Sequence, residues 1–304
     1  DVPWHGLGTK VASDLAPSQI MQQAGLDWEV RKESMTTESG AEITGKKALV
    51  RSADNKVLDV IGDNWNPVQN SEAFEFFSEY CLAGDMEMHT AGSLKGGQMV
   101  WALAKVKESF DILGGDQVDS YLLFSNPHMY GKAIDVRFTP IRVVCNNTLT
   151  LSLGQKVANS VSLNHRTAFN PESVKETLGI ANEKFAKYKE TAQFLASKKF
   201  SVESLVQYYN EVFPRTYQGK KEVTVKDFAD LTNNAQKAYS FLETQPGAEF
   251  GEGSWWSALN SVTYLTDHQM GREADSRLTS AWFGANQTRK VKAVEKAVEY
   301  ALAS

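Results

Sequence analysis

From Met86 to Cys145 the chain reads as a succession of β-strands, and from Pro171 onward it reads as helices. Strands first and helices second argue for an α+β fold, with an antiparallel β-meander and packed helices in the N-terminal half and a mostly helical C-terminal half. The strands expected are Met86–Leu94, Gln98–Val106, Ser120–Ser125 and Ala133–Cys145. Between the first two, Gly96-Gly97 supplies the positive φ that a two-residue hairpin turn requires. In the last, Ile134, Val136 and Phe138 alternate with Asp135 and Arg137, so one face is buried and the other meets solvent or a ligand. Pro140 then marks an edge strand or a bulge.

The flanking segments follow local rules. Ser18–Ala24 is predicted as a short helix, opened by Ala16-Pro17-Ser18 and ended by Gly25. Ala48–Ser52 and Lys56–Ile61 flank the turn residues Ala53-Asp54-Asn55 and read as a hairpin. A turn-rich run from Asn64 to Ser71 leads into a helix over Glu72–Leu82, where Phe74, Phe77 and Cys81 recur at helical spacing. Asn146, Asn147 and Thr148 are expected to cap a helix through Leu149, Leu151 and Leu153. Further helices are predicted over 172–199, 202–212, 225–242, 255–269 and 288–303, punctuated by Pro214, Gly219, Pro246 and Gly251-Glu252-Gly253. The expected division is a sheet-containing region over 1–170 and a helical region over 171–304, linked to the first or packed with it as one domain.

With 42% hydrophobic and 11% aromatic residues in 304, the chain can bury an ordinary core. No stretch approaches the roughly 20 apolar residues that span a bilayer, and none reads as an export signal, so a soluble cytoplasmic protein without membrane contact is expected. Cys81 and Cys145 stand far apart without metal-ligand spacing, which excludes an encoded disulfide framework or structural zinc site. A single disulfide between them stays open, although Cys145, closing a predicted strand, reads as a small buried hydrophobe.

The net charge of −5 conceals an asymmetry. Residues 1–127 carry 10 basic and 19 acidic side chains, residues 128–170 carry 5 and 1, and the remainder carries 17 of each. An anion would bind the basic middle, where phosphate displaces counterions. There Lys132, Arg137, Arg142, Lys156 and Arg166 oppose only Asp135, and Tyr121, Phe124 and Tyr130 offer aromatic faces. Lys132, Arg137, Arg142 and Arg166 would hold phosphates and Tyr130 would stack on a base. Asn146 and Asn147 would cap a helix whose N-terminus receives a phosphate. The competing reading is ordinary solvated surface charge.

Two other classes compete. A metal-dependent phosphodiester enzyme would draw on His128, His165, Asp267, His268 and Asp275. Asp267 and His268, however, are neighbours that point apart on a helix. With no phosphate loop, dinucleotide fingerprint, nucleophile elbow or zinc-protease helix, no catalytic residue, metal site or cofactor is expected, and an enzyme is not the favoured class. The third class is an interaction protein. Seven tryptophans are many for this length. Trp65 and Trp101 lie in apolar runs and read as core, whereas of Trp255 and Trp256 one packs inward and the other faces a partner. Trp4, beside Gly6 and Gly8, reads either as an arm that docks on a neighbouring subunit or as a plug for its own core.

Several segments, taken in order, resemble the phage/plasmid-like protein family, a domain of unknown function found in phages, prophages and plasmids. They are Pro3-Trp4-His5-Gly6-Leu7-Gly8, the run from Trp65 to Asn70, Thr90-Ala91-Gly92-Ser93-Leu94 with Gly96-Gly97 and Trp101, and Arg142-Val143-Val144-Cys145-Asn146-Asn147-Thr148-Leu149. His165-Arg166-Thr167, the run from Trp255 to His268, Arg277 and Trp282-Phe283-Gly284 continue the match, which spans most of the chain. The resemblance implies a phage, prophage or plasmid setting, hence a host-cell cytoplasm, and carries no established activity. A β-meander feeding into a helix is also similar to phage single-strand annealing proteins that form rings or filaments on DNA. The expected function is therefore single-stranded nucleic-acid binding, with strand annealing in recombination or replication, by a homo-oligomer. The alternative is a non-enzymatic factor that assembles with itself or binds a host protein.

Overall fold

A computed structural model describes residues 7–166, 170–217, 221–222 and 225–304. A two-residue strand β1 (Thr9–Lys10) and a short helix α1 (Pro17–Gln23) precede three strands, β2 (Val30–Thr36), β3 (Glu42–Arg51) and β4 (Val57–Gly62), and then helix α2 (Asn70–Ala83). Four more strands follow, β5 (Glu87–Leu94), β6 (Met99–Asp111), β7 (Gln117–Pro127) and β8 (Asp135–Arg142), with two short ones, β9 (Asn147–Thr148) and β10 (Leu151–Ser152). Beyond them come α3 (Gln155–Arg166), α4 (Pro171–Ser197), α5 (Val202–Val212), α6 (Asn233–Ser240), α7 (Trp255–Tyr264), α8 (Ala274–Phe283) and α9 (Ala285–Leu302). The fold is α+β.

Strands β2, β3 and β4 form one antiparallel sheet. A larger sheet runs in the order β1-β5-β6-β7-β8-β10, with β9 also paired to β8. The hairpin expected at Gly96-Gly97 is present but longer: Leu94 pairs with Met99, so four residues make the connection. Lys95, Gly96 and Gly97 all take positive φ there, 51°, 62° and 102°. Sequence reasoning missed β2, whose charged run Arg31-Lys32-Glu33 hides its alternation, and the helices α3 and α8. The helix predicted over 225–242 contracts to α6, and that over 255–269 widens after α7 into a π-helical turn, Leu265–Gln269.

Where a helix was expected after Asn146, the chain makes strands instead. Asn146 adopts a left-handed φ of 55° and turns the chain back, so that Asn147 and Thr148 pair with Arg142 and Ile141. The spacing of Leu149, Leu151 and Leu153 is two, the period of a strand, and Leu149 and Leu153 are buried.

Cα packing divides the chain into two compact units interleaved along the sequence. The first holds residues up to Lys107 with Tyr121–Phe138 and Ser152–Ala181, and the second holds Glu108–Ser120, Thr139–Leu151 and the chain from Asn182 onward. In the first unit α2 buries Phe74, Phe77 and Tyr80, and the ring of Phe124 from β7 lies 5.0 Å from Phe77 and 5.2 Å from Tyr80. Trp101 is fully buried beneath Gly8 and Gly92, where an added Cβ would come within 2.5 Å and 2.9 Å of its ring. In the second unit α5, α7 and α8 pack on α9. Ala293, Ala297 and Ala301 recur every fourth residue on α9, are fully buried, and allow close helix approach.

Candidate functional site

Between β4 and α2 the chain runs Asn64-Trp65-Asn66-Pro67-Val68-Gln69, and most of its polar groups fasten it to the first unit. Lys32 of β2 donates to the carbonyls of Asp63 (2.5 Å) and Trp65 (3.2 Å) and to Asn66 Oδ1 (3.1 Å). The Gln69 side chain pairs with the backbone of Val30 on β2, accepting from its amide (3.0 Å) and donating to its carbonyl (2.9 Å). Asn70 donates to the carbonyls of Leu26 and Trp28, which turns its Oδ1 toward His128 Nε2 at 2.8 Å. His128 therefore donates from Nε2, and its buried Nδ1 has no partner among the described residues. Burial pulls the His128 imidazole down to about 4, so it is neutral near pH 7.

Against this loop lies a polar groove of about 450 Å³, lined among others by Asn64, Trp65, Glu72, Asn126 and Lys132. Tyr130 stands beside it, 55% exposed, with its ring 6.4 Å from that of Trp65 and the Lys46 ammonium 5.7 Å from its centroid. Its amide donates to Asp59 Oδ2 (2.7 Å), and the same carboxylate accepts from Val60 N (2.8 Å) through Oδ1. Glu72 caps α2 by accepting from Gln69 N (2.8 Å). Asp59 and Glu72 thus serve backbone amides, while Lys46 and Lys132 are exposed and hold no ion pair among the described residues. Lysines without counterions beside an open ring can take up a phosphate and a planar base.

Tyr130 and Lys132 are the two predicted contact residues that the structure brings together. Arg137 is half-buried on β8 and donates to Asp135 at 2.7 Å. Arg142 is not a surface cation: it is 3% exposed, and its Nε and Nη2 grip Asp116 at 2.7 and 2.9 Å. No phosphate can displace a carboxylate held so deeply without exposing two charges to an apolar interior. Asn146 and Asn147 cap no helix, for the reason already given, and Asn147 is buried. Tyr121 and Phe124 are buried and offer no stacking face. Trp255 and Trp256 are both buried, 0% and 1% exposed, so neither ring of that pair faces a partner. Trp255 stacks on Tyr300 at 5.3 Å, whereas Trp256 donates from Nε1 to Asp116 Oδ2 at 2.8 Å. Trp65, expected in the core, is half-buried at the groove. Trp4 and the side chain of Arg166 lie outside the described residues.

The second unit contains a different polar assembly. Arg142 also donates to the carbonyl of Gly247 (2.8 Å) and lies over the Trp256 ring at 5.7 Å. Gly247 has a φ of 77°, and a Cβ there would come within 2.5 Å of Val144 and 2.9 Å of Arg142. Deeper in, Lys290 Nζ donates to Asp267 Oδ1 (2.8 Å), the Thr148 carbonyl (2.7 Å) and Thr148 Oγ1 (3.1 Å). The Thr148 amide and hydroxyl both donate to Asp267 Oδ2, at 2.6 and 3.0 Å. All three ammonium protons and both carboxylate oxygens are engaged. Burial lowers the Lys290 pKa, with Asp267 opposing it. Next to it Asn147 donates to Thr263 Oγ1 (2.9 Å) and the Asn260 carbonyl (3.2 Å), leaving its Oδ1 to accept from His268 Nε2 (3.0 Å). Asp267 and His268, expected to point apart, reach the adjacent residues Thr148 and Asn147 of β9, and no group of three His, Cys, Asp or Glu side chains among the described residues could hold a metal ion.

A family model described as a domain of unknown function, DUF932, matches residues 57–296. The chain belongs to the DUF932 family. No curated protein and no solved structure matches it. The DUF932 span includes the groove and both buried charge pairs, whereas Lys32 and Lys46 precede it. Sequence reasoning missed Lys290, Asp116 and Asn126. Lys290 carried a signal, because it stands three residues before Ala293 on the alanine stripe of α9, where a solvated lysine does not belong. Nothing local marks Asp116 or Asn126. No helix among the described residues is long and apolar enough to cross a membrane.

Proposed function

We propose that this chain is a single-stranded nucleic-acid binding protein of a phage or plasmid, working in the host-cell cytoplasm, and that the Tyr130 groove is its contact surface. The observation that carries the reading is an exposed Tyr130 ring beside a polar groove, with Lys46, Lys132 and Trp65 around it. Aromatic stacking takes any base, whereas a duplex keeps its base faces covered, so such a surface selects single strands without selecting sequence. The lysines supply the phosphate attraction and a salt dependence. Strand annealing would follow if several copies assembled along one strand.

A second reading rests on a separate observation. Val57 and Val60 of β4 are 55% and 42% exposed, and β4 is an edge of its sheet, which favours a factor that assembles with itself or with a host protein. Fluorescence anisotropy of a labelled 40-mer single strand, with duplex as control, separates the two readings. Salt-sensitive preference for the single strand, weakened by Tyr130→Ala and by Lys132→Ala, supports the first. Absence of binding even at low salt removes it in favour of the second.

A further inference from the structure

Asn126 sits in β7 at the groove and is only 1% exposed. Its amide orientation is determined by chemistry: Nδ2 donates to the Val68 carbonyl at 3.0 Å, and only an NH2 group can face a carbonyl there. Its Oδ1 has no hydrogen-bond partner among the described residues. The atom is open to water from the groove, and a ligand that displaces that water must bring a donor of its own, because leaving the acceptor unpaired would be unfavourable. At 450 Å³ the groove lies in the range of small-ligand sites, roughly 300–1,000 Å³.

We infer that the groove is a pocket for one unstacked nucleobase, whose N–H edge donates to Asn126 Oδ1 while Lys132 holds a neighbouring phosphate. Every common base carries an N–H donor on its pairing edge, so this contact requires a base without choosing one, and a base held in the stack of a duplex cannot enter the groove to make it. The inference rests on the nucleic-acid reading for its polymer, but the pocket chemistry is the same for a free nucleotide.

The test compares an oligothymidine strand with one of equal length made from N3-methylthymidine. Charge and rings are kept, and the N–H donor is replaced by a methyl group. The wild-type protein is expected to bind the methylated strand roughly tenfold more weakly, the worth of one lost hydrogen bond to a buried acceptor. Asn126→Ala should bind both strands equally, with its folding checked by thermal unfolding. The comparison on the wild-type protein stands even if that variant does not fold. Equal binding of the two strands overturns the pocket and leaves strand binding intact. If neither strand binds, thymidine monophosphate is titrated against the protein: saturable binding that N3-methylation weakens keeps the pocket for free nucleotides, and no binding overturns it.

Discussion

Two polar regions of this chain use the same residue types to opposite ends. At the groove of the first unit, Lys46 and Lys132 face water, and the nearby Asp59 and Glu72 are spent on backbone amides. In the second unit, Arg142 and Lys290 are buried, each against one carboxylate, Asp116 and Asp267. The first region has charge to offer a ligand and the second has none left over. A basic residue is thus a binding residue or a structural one according to what its partner carboxylate already holds.

Breaking the buried cluster should have the largest effect. Lys290→Met should destabilise the protein by about 3–5 kcal/mol in urea unfolding, since it strands Asp267 without its counterion. The double variant that also carries Asp267→Leu should recover part of that loss, and a neutral single variant would mean the cluster is not closed. Arg142→Ala should cost about as much for the same reason, yet leave strand affinity of the folded fraction unchanged. Loss of binding without loss of stability would return Arg142 to the contact surface.

His128 sharpens the comparison through pH. Its ring takes a proton near 6.5 in the unfolded chain and only near 4 in the folded one, so the unfolded state binds more protons in between. Its neutral form supports the fold fully above about pH 6.5, and up to about 3 kcal/mol is lost as pH falls toward 4. Urea midpoints across that window should follow this slope, and His128→Gln should flatten it. At the groove the effects move from stability to binding. Tyr130→Ala should weaken single-strand affinity by about 1–3 kcal/mol, the worth of one base stack, while changing stability by no more than about 0.5 kcal/mol. Lys132→Ala should do least, reducing the salt slope by about one unit, which a binding isotherm at several salt concentrations will show.

Much of the fold was legible because it is written locally. Phe74, Phe77 and Cys81 announce α2 by their spacing, and Val202–Val212 was expected as a helix over the same residues. The site was half legible. Tyr130 and Lys132 were named from a basic stretch with aromatics, whereas Asn126 carries no mark in the sequence at all. Leu149, Leu151 and Leu153 were misread because three preceding polar residues looked like a helix cap, although their spacing of two belonged to a strand.

By itself the sequence determined the order of strands and helices, the basic middle and the resemblance to a family, because periodicity, turn residues and charge are properties of neighbours. Only the tertiary structure decided that Arg142 is buried and Lys132 is not. Asp116 lies 26 residues before Arg142 and Gly247 lies 105 after it, and burial is set by partners that the chain's path brings together. A charge enters an interior only where such partners replace its water, and that is a property of the fold rather than of the residue.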